Sequence, residues 1–548
     1  MDEAGFYQDP PRLGNQYDED PLLKSFLRRV LPTEVLRDVE PSLGRMGEAA
    51  AGRLLELARD YRRDEPEHVP YDAWGRRVDE VRVNAAWREY ARVAAEQGLV
   101  AIGYERAHGR FSRLHQFALA YLFHPSSQIY TCPLAMTDGC ARTLERLGSP
   151  PLRERVLARL VSRDPERAWT SGQWMTERSG GSDVGRSETV ARRDGPGWRL
   201  HGTKWFTSAV TSQVALALAR PEGNGPGGKG LALFLVELRD GDGRLRNITV
   251  LRLKEKLGTR NLPTAELQLD GTPAEPVAGL SDGVRQMGTM LDLTRTWNAV
   301  CAAASLRRGL ALARDYAQRR VAFGAPLAEK PLHQETLDDL GAEQEAAFSL
   351  TFHVVEQLGR QEAGELDSAG EASLRLLHPL AKLTTARQAV AGASEVLEAF
   401  GGAGYVEDSG LPELLRDAQV LAIWEGTTNV LALEVYRAIQ RSEALAPTLE
   451  ALRRRARCAS HAALREPAQS ALRAADHLEH WWSLAAARGA RAHEAGARRF
   501  ALTLGRALSL ALLVEHADWS LTHEGDACAA DAARRLAEIG VDSLREAG

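Results

Sequence analysis

The chain has 548 residues, 44% of them hydrophobic, enough for sizeable buried cores and for three or four domains of roughly 150 residues each. Its 69 Lys and Arg stand against 74 Asp and Glu, a net charge of −5, so nothing global draws it to nucleic acid or to an anionic membrane. Five scattered cysteines (Cys132, Cys140, Cys301, Cys458, Cys528) are too few for a disulfide framework and lack metal-ligand spacing, which makes a reducing cytoplasm the expected setting and a metal unexpected.

The opening MDEAGFYQDPPRLGNQ is acidic and lacks the basic-plus-apolar pattern of a leader. Residues 1–164 read as a helical domain after an irregular start. Pro10-Pro11 blocks an early helix, and Asp20-Pro21 can open the first one, with Asp20 as cap and Pro21 in the first turn. Leu54, Leu55 and Leu57 have helical spacing. Tyr71–Arg82 reads as a connector, and Cys132–Gly139 as an apolar run that ends in a turn.

The period changes over residues 165–282. Val214–Ala219 and Leu231–Leu238 are short apolar runs, and Ala265–Asp270 alternates as a half-buried strand does. Pro221–Gly230 is a Gly/Pro loop, while Gly197-Trp198 and His201-Gly202 punctuate a further strand pair. Helical spacing returns over 283–440, with Leu306, Leu310, Ala313 and Ala317 on one face and Leu350, Val354 and Leu358 on another. Gly401–Gly404 stops the helix that runs through Leu374–Leu397. Residues 441–548 form an Ala/Arg-rich helical tail. Its longest apolar run, Ala507–Val514, is too short to span a bilayer and reads as a buried helix, and Trp481-Trp482 reads as core or subunit interface.

Three stretches carry chemistry. Met175–Val184 (MTERSGGSDV) offers backbone N–H groups, the Thr176 and Ser182 hydroxyls and little bulk, which suits close approach of a polar ligand. Lys204–Ser208 (KWFTS) adds the flat face of Trp205 and the hydroxyl of Thr207, which suits a heteroatom-bearing ring. In Trp424–Asn429 (WEGTTN), Glu425 sits between the apolar Val420–Trp424 and a Gly-Thr-Thr turn. Partial desolvation makes a carboxylate a better proton acceptor near neutrality.

Together these stretches resemble the acyl-CoA dehydrogenase superfamily, in its AidB-like branch. The resemblance implies an α+β fold: an N-terminal helical domain, a middle β-barrel or sandwich, a four-helix bundle and, here, an extra all-α C-terminal domain. It implies FAD as cofactor. Met175, Thr176, Gly181 and Ser182 match the loop beneath the flavin, Trp205 and Thr207 the pair at its far edge, and Thr427 and Asn429 the adenosine-side contacts. Arg320 and Phe323 match an R-x-x-F-G element that serves a neighbouring subunit's flavin, with Ala322 where many relatives carry Thr. Gly401 and Gly402 match Q-x-x-G-G, with Glu398 in place of Gln. Ser182, Asp292, Arg295 and Gly426 match substrate contacts.

By the same resemblance Glu425 removes the α-proton while the β-hydrogen leaves as hydride to flavin N5, yielding a trans-2-enoyl-CoA. The alternative position for a base, before Arg295 in a D-x-x-R pattern, is Thr294, which cannot serve. An acyl-CoA substrate, electron-transfer flavoprotein or another electron acceptor, and a homo-oligomer (a dimer of dimers) are the implied partners. Other readings are a DNA-associated flavoprotein of the alkylation response and an acyl-CoA or lipid sensor. For the first, 15 Arg and no Lys against 14 acids leave the tail at +1, a weak basis for binding duplex DNA, although Arg453-Arg454-Arg455, Arg457, Arg465 and Arg498-Arg499 offer a candidate face.

Overall fold

The computed structural model describes residues 9–545, so the first half of the acidic opening lies outside the described residues. The chain forms two compact units.

One unit takes its described residues from Met1–Gly52, His108–Pro125 and Asn298–Gly548 and is built around helices. They are α1 (Pro21–Val30), α2 (Thr33–Ala51), α3 (Ser112–Phe123), α4 (Gly283–Arg319, whose turns through Trp297 count with the other unit), α5 (Pro331–Glu362), α6 (Ser368–Ala399), α7 (Leu411–Leu421) and α8 (Thr428–Ser442). The tail adds α9 (Leu445–Arg457), α10 (Arg465–Arg488), α11 (Ala490–His523) and α12 (Cys528–Ile539). α1 starts as its sequence dictates: the Asp20 carboxylate accepts the Leu23 N–H at 2.9 Å and Pro21 opens the first turn. The apolar faces of α4 and α5 are buried as their spacing predicts.

The tail has no core of its own. One apolar cluster joins Leu350 of α5, Leu380 of α6 and Val435 of α8 to Leu449, Trp481, Phe500 and Leu508 of the tail. Helix α11 is long and apolar enough by composition to cross a membrane, yet 83% of its most apolar window is buried inside this cluster. That burial is what an apolar core helix of a bundle requires.

The other unit contains Arg53–Ala107 and Ser126–Trp297. Its strands are β1 (Glu67–Tyr71), β2 (Arg77–Arg82), β3 (Ser171–Trp174), β4 (Val190–Asp194), β5 (Gly197–Ser208), β6 (Val214–Pro221), β7 (Ala232–Glu237), β8 (Ile248–Leu253) and β9 (Thr264–Pro276). Pairing runs β6–β4–β5–β9–β7 and returns from β7 to β6, so the sheet closes on itself; β3 adds beside β6 and β8 beside β9. Closure leaves the alanines of β6 and Phe234, Leu267 and Leu269 facing one apolar interior.

Three local expectations need correction. Tyr71–Arg82 is no plain connector, because it contributes to an antiparallel hairpin of β1 and β2, held by the buried Asp79 carboxylate, which takes Arg77 at 2.8 Å and His68 at 2.8 Å. Cys132–Gly139 is helical throughout, part of Thr131–Leu147; Gly139 serves packing, since a Cβ there would lie 2.7 Å from Met290 Cγ. His201-Gly202 does not end a strand. It lies inside β5 at a register shift, where a Cβ on Gly202 would meet Thr189 Oγ1 at 2.4 Å.

Candidate functional site

In the sheet-containing unit, β3 leads into Met175 and Thr176, and Glu177 pairs with Gly180 across a tight turn. Glu177 is only 3% exposed, and Lys204, on β5, is wholly buried. Lys204 Nζ donates to Glu177 Oε1 at 2.6 Å and to the Leu218 carbonyl at 2.7 Å. The same carboxylate accepts the Thr189 hydroxyl at 2.6 Å and the Glu188 N–H at 2.6 Å. Burial pushes the Glu177 carboxyl upward, but the Lys204 charge and these donors outweigh it and hold it below its ordinary range. A backbone bond from Trp205 N–H to the Thr176 carbonyl, 3.0 Å, completes the fastening of loop to strand.

The pairing of β5 with β9 slips between Lys204 and Thr207. That bulge resets the alternation, so Phe206 is exposed while Lys204 and Thr207 are both buried. The Thr207 hydroxyl donates to the Ala265 carbonyl at 2.8 Å, which engages its single hydrogen within the sheet. The Trp205 ring is half-buried and lies 3.5 Å from Lys254 Nζ and 5.1 Å from the Arg178 guanidinium, so its face is already a cation platform. Gly181 and Ser182 are exposed, Met175 and Thr176 half-buried. On the first half of α4, Asp292 is half-buried and Arg295 buried. Thr294 between them is buried, with its hydroxyl turned back to the Leu291 carbonyl at 3.2 Å.

In the helical unit, Glu425 and Gly426 lie in the loop between α7 and α8. Both have positive φ, 56° and 108°, and Glu425 is half-buried. The loop is tied down on every side. The Trp424 indole donates to Asn298 Oδ1, and Asn298 Nδ2 donates to the Leu421 carbonyl at 3.3 Å. Lys382 Nζ donates to the Gly426 carbonyl at 2.6 Å. Thr427 caps α8, and Asn429 Oδ1 accepts Arg498 Nη1 of the tail at 2.8 Å.

Arg320 follows α4 and leads into a short hairpin, Val321–Ala322 with Ala325–Pro326, that carries Phe323 at its tip, 98% exposed. Gly401, at φ 58°, follows α6. The structure thus gathers the predicted residues into a sheet-borne group and a helix-borne group. Sequence reasoning missed Glu177, Lys204, Asn298 and Lys382. A lysine at an inward position of β5, and another in the apolar run His378–Leu383, were the available clues.

The candidate basic face of the tail is partly engaged. Arg453 pairs with Asp476 at 2.8 Å and Glu479 at 2.5 Å, and Arg455 approaches Glu515 at 3.4 Å, while Arg454, Arg465 and Arg499 are exposed.

The residues fit a flavin. Cβ atoms built on Gly401 and Gly402 would meet nothing within 4 Å, which leaves open backbone for a bulky group. At Gly181 a Cβ would stand 3.0 Å from Thr176 Oγ1, so glycine leaves room beside that hydroxyl.

Residues 172–272 and 281–440 match the middle and C-terminal domains of acyl-CoA dehydrogenase, residues 9–166 the N-terminal domain of the adaptive response protein AidB, and residues 447–536 the acyl-CoA dehydrogenase 11 C-terminal domain-like family. Acyl-CoA dehydrogenase family member 11 of Caenorhabditis elegans is 42% identical over 95% of this chain and 88% of its own length. Putative acyl-CoA dehydrogenase AidB of Escherichia coli is 31% identical over 71% of each chain. The crystal structure of C. elegans ACDH-11 in complex with C11-CoA superposes with a TM-score of 0.95 at 40% identity, covering 100% of this chain and 94% of that one. The chain belongs to the acyl-CoA dehydrogenase family and is a flavoprotein oxidoreductase of its AidB-like branch.

Proposed function

We propose that the protein is an FAD-dependent dehydrogenase of fatty acyl-CoA thioesters that forms trans-2-enoyl-CoA, with Glu425 as the base. The observation that carries this reading is the Glu425-Gly426 turn: a carboxylate held in a left-handed conformation by ties from Lys382 and, next to it, Asn298. Such conformations persist only where surroundings dictate them, and they concentrate at functional sites. When bound, the flavin supplies the hydride acceptor. Glu425 accepts the α-proton, and a backbone N–H at the Glu425-Gly426 turn polarises the thioester carbonyl, which acidifies that proton. Ser182, Asp292 and Arg295 contact the substrate. Met175, Thr176, Gly181, Ser182, Trp205, Thr207, Gly401, Gly402, Thr427 and Asn429 hold the cofactor. The C11-CoA bound by the C. elegans relative supports a medium to long acyl chain.

Electrons leave to an electron-transfer flavoprotein or a comparable acceptor. Arg320 and Phe323 serve a neighbouring subunit's flavin in a homo-oligomer, a role supported by the exposure of Phe323, Val321 and Leu332. Five free cysteines, two of them exposed, fit a reducing cytoplasm. On the change of sequence pattern we propose domain boundaries at 164/165, 282/283 and 440/441.

The test is an anaerobic titration of the FAD-loaded protein with acyl-CoAs of graded chain length, following visible absorbance. Bleaching by chains near C11 supports the reading. A spectral shift without bleaching at any length rejects turnover in favour of an acyl-CoA sensor.

A further inference from the structure

Lys382 lies mid-way along α6 and is 0% exposed. An ammonium in such a place is costly unless acceptors surround it, so its position needs a reason. Its Nζ donates to the Gly426 carbonyl at 2.6 Å, the length of a charge-assisted bond. Gly426 directly follows Glu425. At Glu425 the positive φ sets the side chain against its own backbone, and the conformer is held by what grips the turn.

The other ties act elsewhere on the loop. Asn298 holds Trp424 and Leu421, before the base, and the Thr427 cap holds the first turn of α8, after it. Lys382 alone of these grips the Glu425-Gly426 pair through a full charge. Gly426 also packs against the first turns of α8, where a Cβ on it would come within 2.7 Å of Leu431 Cδ2. Beside Lys382, Gly505 of α11 packs so closely on Thr384 that a Cβ would fall 2.0 Å from its hydroxyl. The tail helix therefore presses on the segment of α6 that carries the ammonium.

We infer that Lys382 is a positioning residue for Glu425: its ammonium fixes the Gly426–Thr427 peptide, one residue beyond the base, and with it the turn that directs the base's carboxylate. This rests on Glu425 being the base. Removing the ammonium frees the Gly426 peptide to rotate. The carboxylate then samples directions from which the α-proton is out of line, and proton abstraction slows, while affinity for an alkyl-CoA thioether, which has no carbonyl to meet the turn's N–H, is kept.

The test uses the FAD-loaded full chain with Lys382→Met and Lys382→Gln, and Glu425→Gln in parallel. Three quantities are read: flavin content, the dissociation constant of an alkyl-CoA thioether from its perturbation of the flavin spectrum, and the rate of anaerobic bleaching by C11-CoA. Lys382→Met is expected to slow bleaching roughly 30- to 100-fold, with flavin content and thioether affinity within about twofold of wild type. A merely structural lysine lowers the melting temperature and leaves the bleaching rate per bound flavin unchanged, and that result overturns the inference. If Lys382→Met does not accumulate as a flavoprotein, the decision passes to Lys382→Gln, whose amide is one atom short of Gly426, with the same two outcomes. Wild-type bleaching by Glu425→Gln overturns the base assignment instead, and the positioning role with it.

Discussion

Lys204 and Glu177 meet as a closed ion pair, Nζ to Oε1 at 2.6 Å, with 0% and 3% of their side chains exposed. The pair joins the MTERSGGSDV loop to the KWFTS strand, the two stretches that carry most of the sheet-borne site. Its carboxylate has two further partners, Thr189 and Glu188, so it acts as the knot of the loop. Lys204→Met strands this carboxylate in the interior and is expected to destabilise the protein by about 3–5 kcal/mol. The double variant Lys204→Met/Glu177→Met should recover much of that loss. Thermal unfolding of the four proteins in one cycle checks it, and equal melting temperatures for the two single variants and the wild type would dismiss the knot.

Glu425→Gln keeps the shape of the turn and removes the base. FAD should remain bound, and anaerobic bleaching by C11-CoA should fall by about 10²–10⁴-fold. Stopped-flow absorbance measures this, and a rate within threefold of wild type would relocate the base.

Two glycine substitutions on helices should have opposite signs. Gly505→Ala drives a methyl into Thr384, with no rotamer that relieves a contact to its own Cβ, and should cost about 1–3 kcal/mol. Gly288→Ala, on α4, meets nothing within 4 Å and should gain about 0.5–1 kcal/mol from helix propensity alone. Differential scanning calorimetry reads both. The same sign for the two would refute close packing as the reason for Gly505.

Acid should weaken the helical unit well above the carboxylate range. Burial, then the nearby Arg308 charge, holds His124 down to about 3, and burial, then Arg29, does the same for His516. The unfolded chain protonates these rings near 6.5, the folded one near 3, so their stabilisation is complete above pH 6.5 and is lost as pH falls towards 3. The expected slope is about 1.4 kcal/mol per pH unit for each histidine. His516→Asn, which cannot titrate, should flatten the melting temperature between pH 7 and 5 relative to wild type. An unchanged slope would mean that the ring is charged in the folded state.

Phe323→Asp places a charge on the tip of an exposed hairpin. In an oligomer that buries this tip, the variant should dissociate and lose flavin on gel filtration, with light scattering giving a smaller mass. A mass equal to wild type would remove the hairpin from the interface.

Much of the organisation is legible in the sequence because it is local. Asp20-Pro21 opens α1 by capping chemistry, the alternation of Ala265–Asp270 falls within β9, and the spacing of Leu306–Ala317 buries one face of α4. The chemical stretches are weak signals one by one and gain meaning from their combination, in which the Met175–Val184 loop, the Lys204–Ser208 segment and the flanked Glu425 together resemble one family. The misreadings share a cause. Tyr71–Arg82 looks like a loop because the buried Asp79 that holds the hairpin is ordinary in sequence. Gly139 and Gly202 look like punctuation because the atoms that require glycine there belong to Met290, distant along the chain, and to Thr189, just before the neighbouring strand β4.

By itself the sequence determined the broad order of helical and sheet segments and the Arg-rich tail, properties of residue type and short-range period, while Glu425 was singled out as candidate base by family resemblance. Only the tertiary structure decided that Lys204 closes on Glu177, that Lys382 grips Gly426, and that Arg453 and Arg455 of the tail face acids within it. Each of these is a contact between groups brought together by folding, and the value of a charge depends on its dielectric surroundings and partner geometry, neither of which is a property of the residue that carries it.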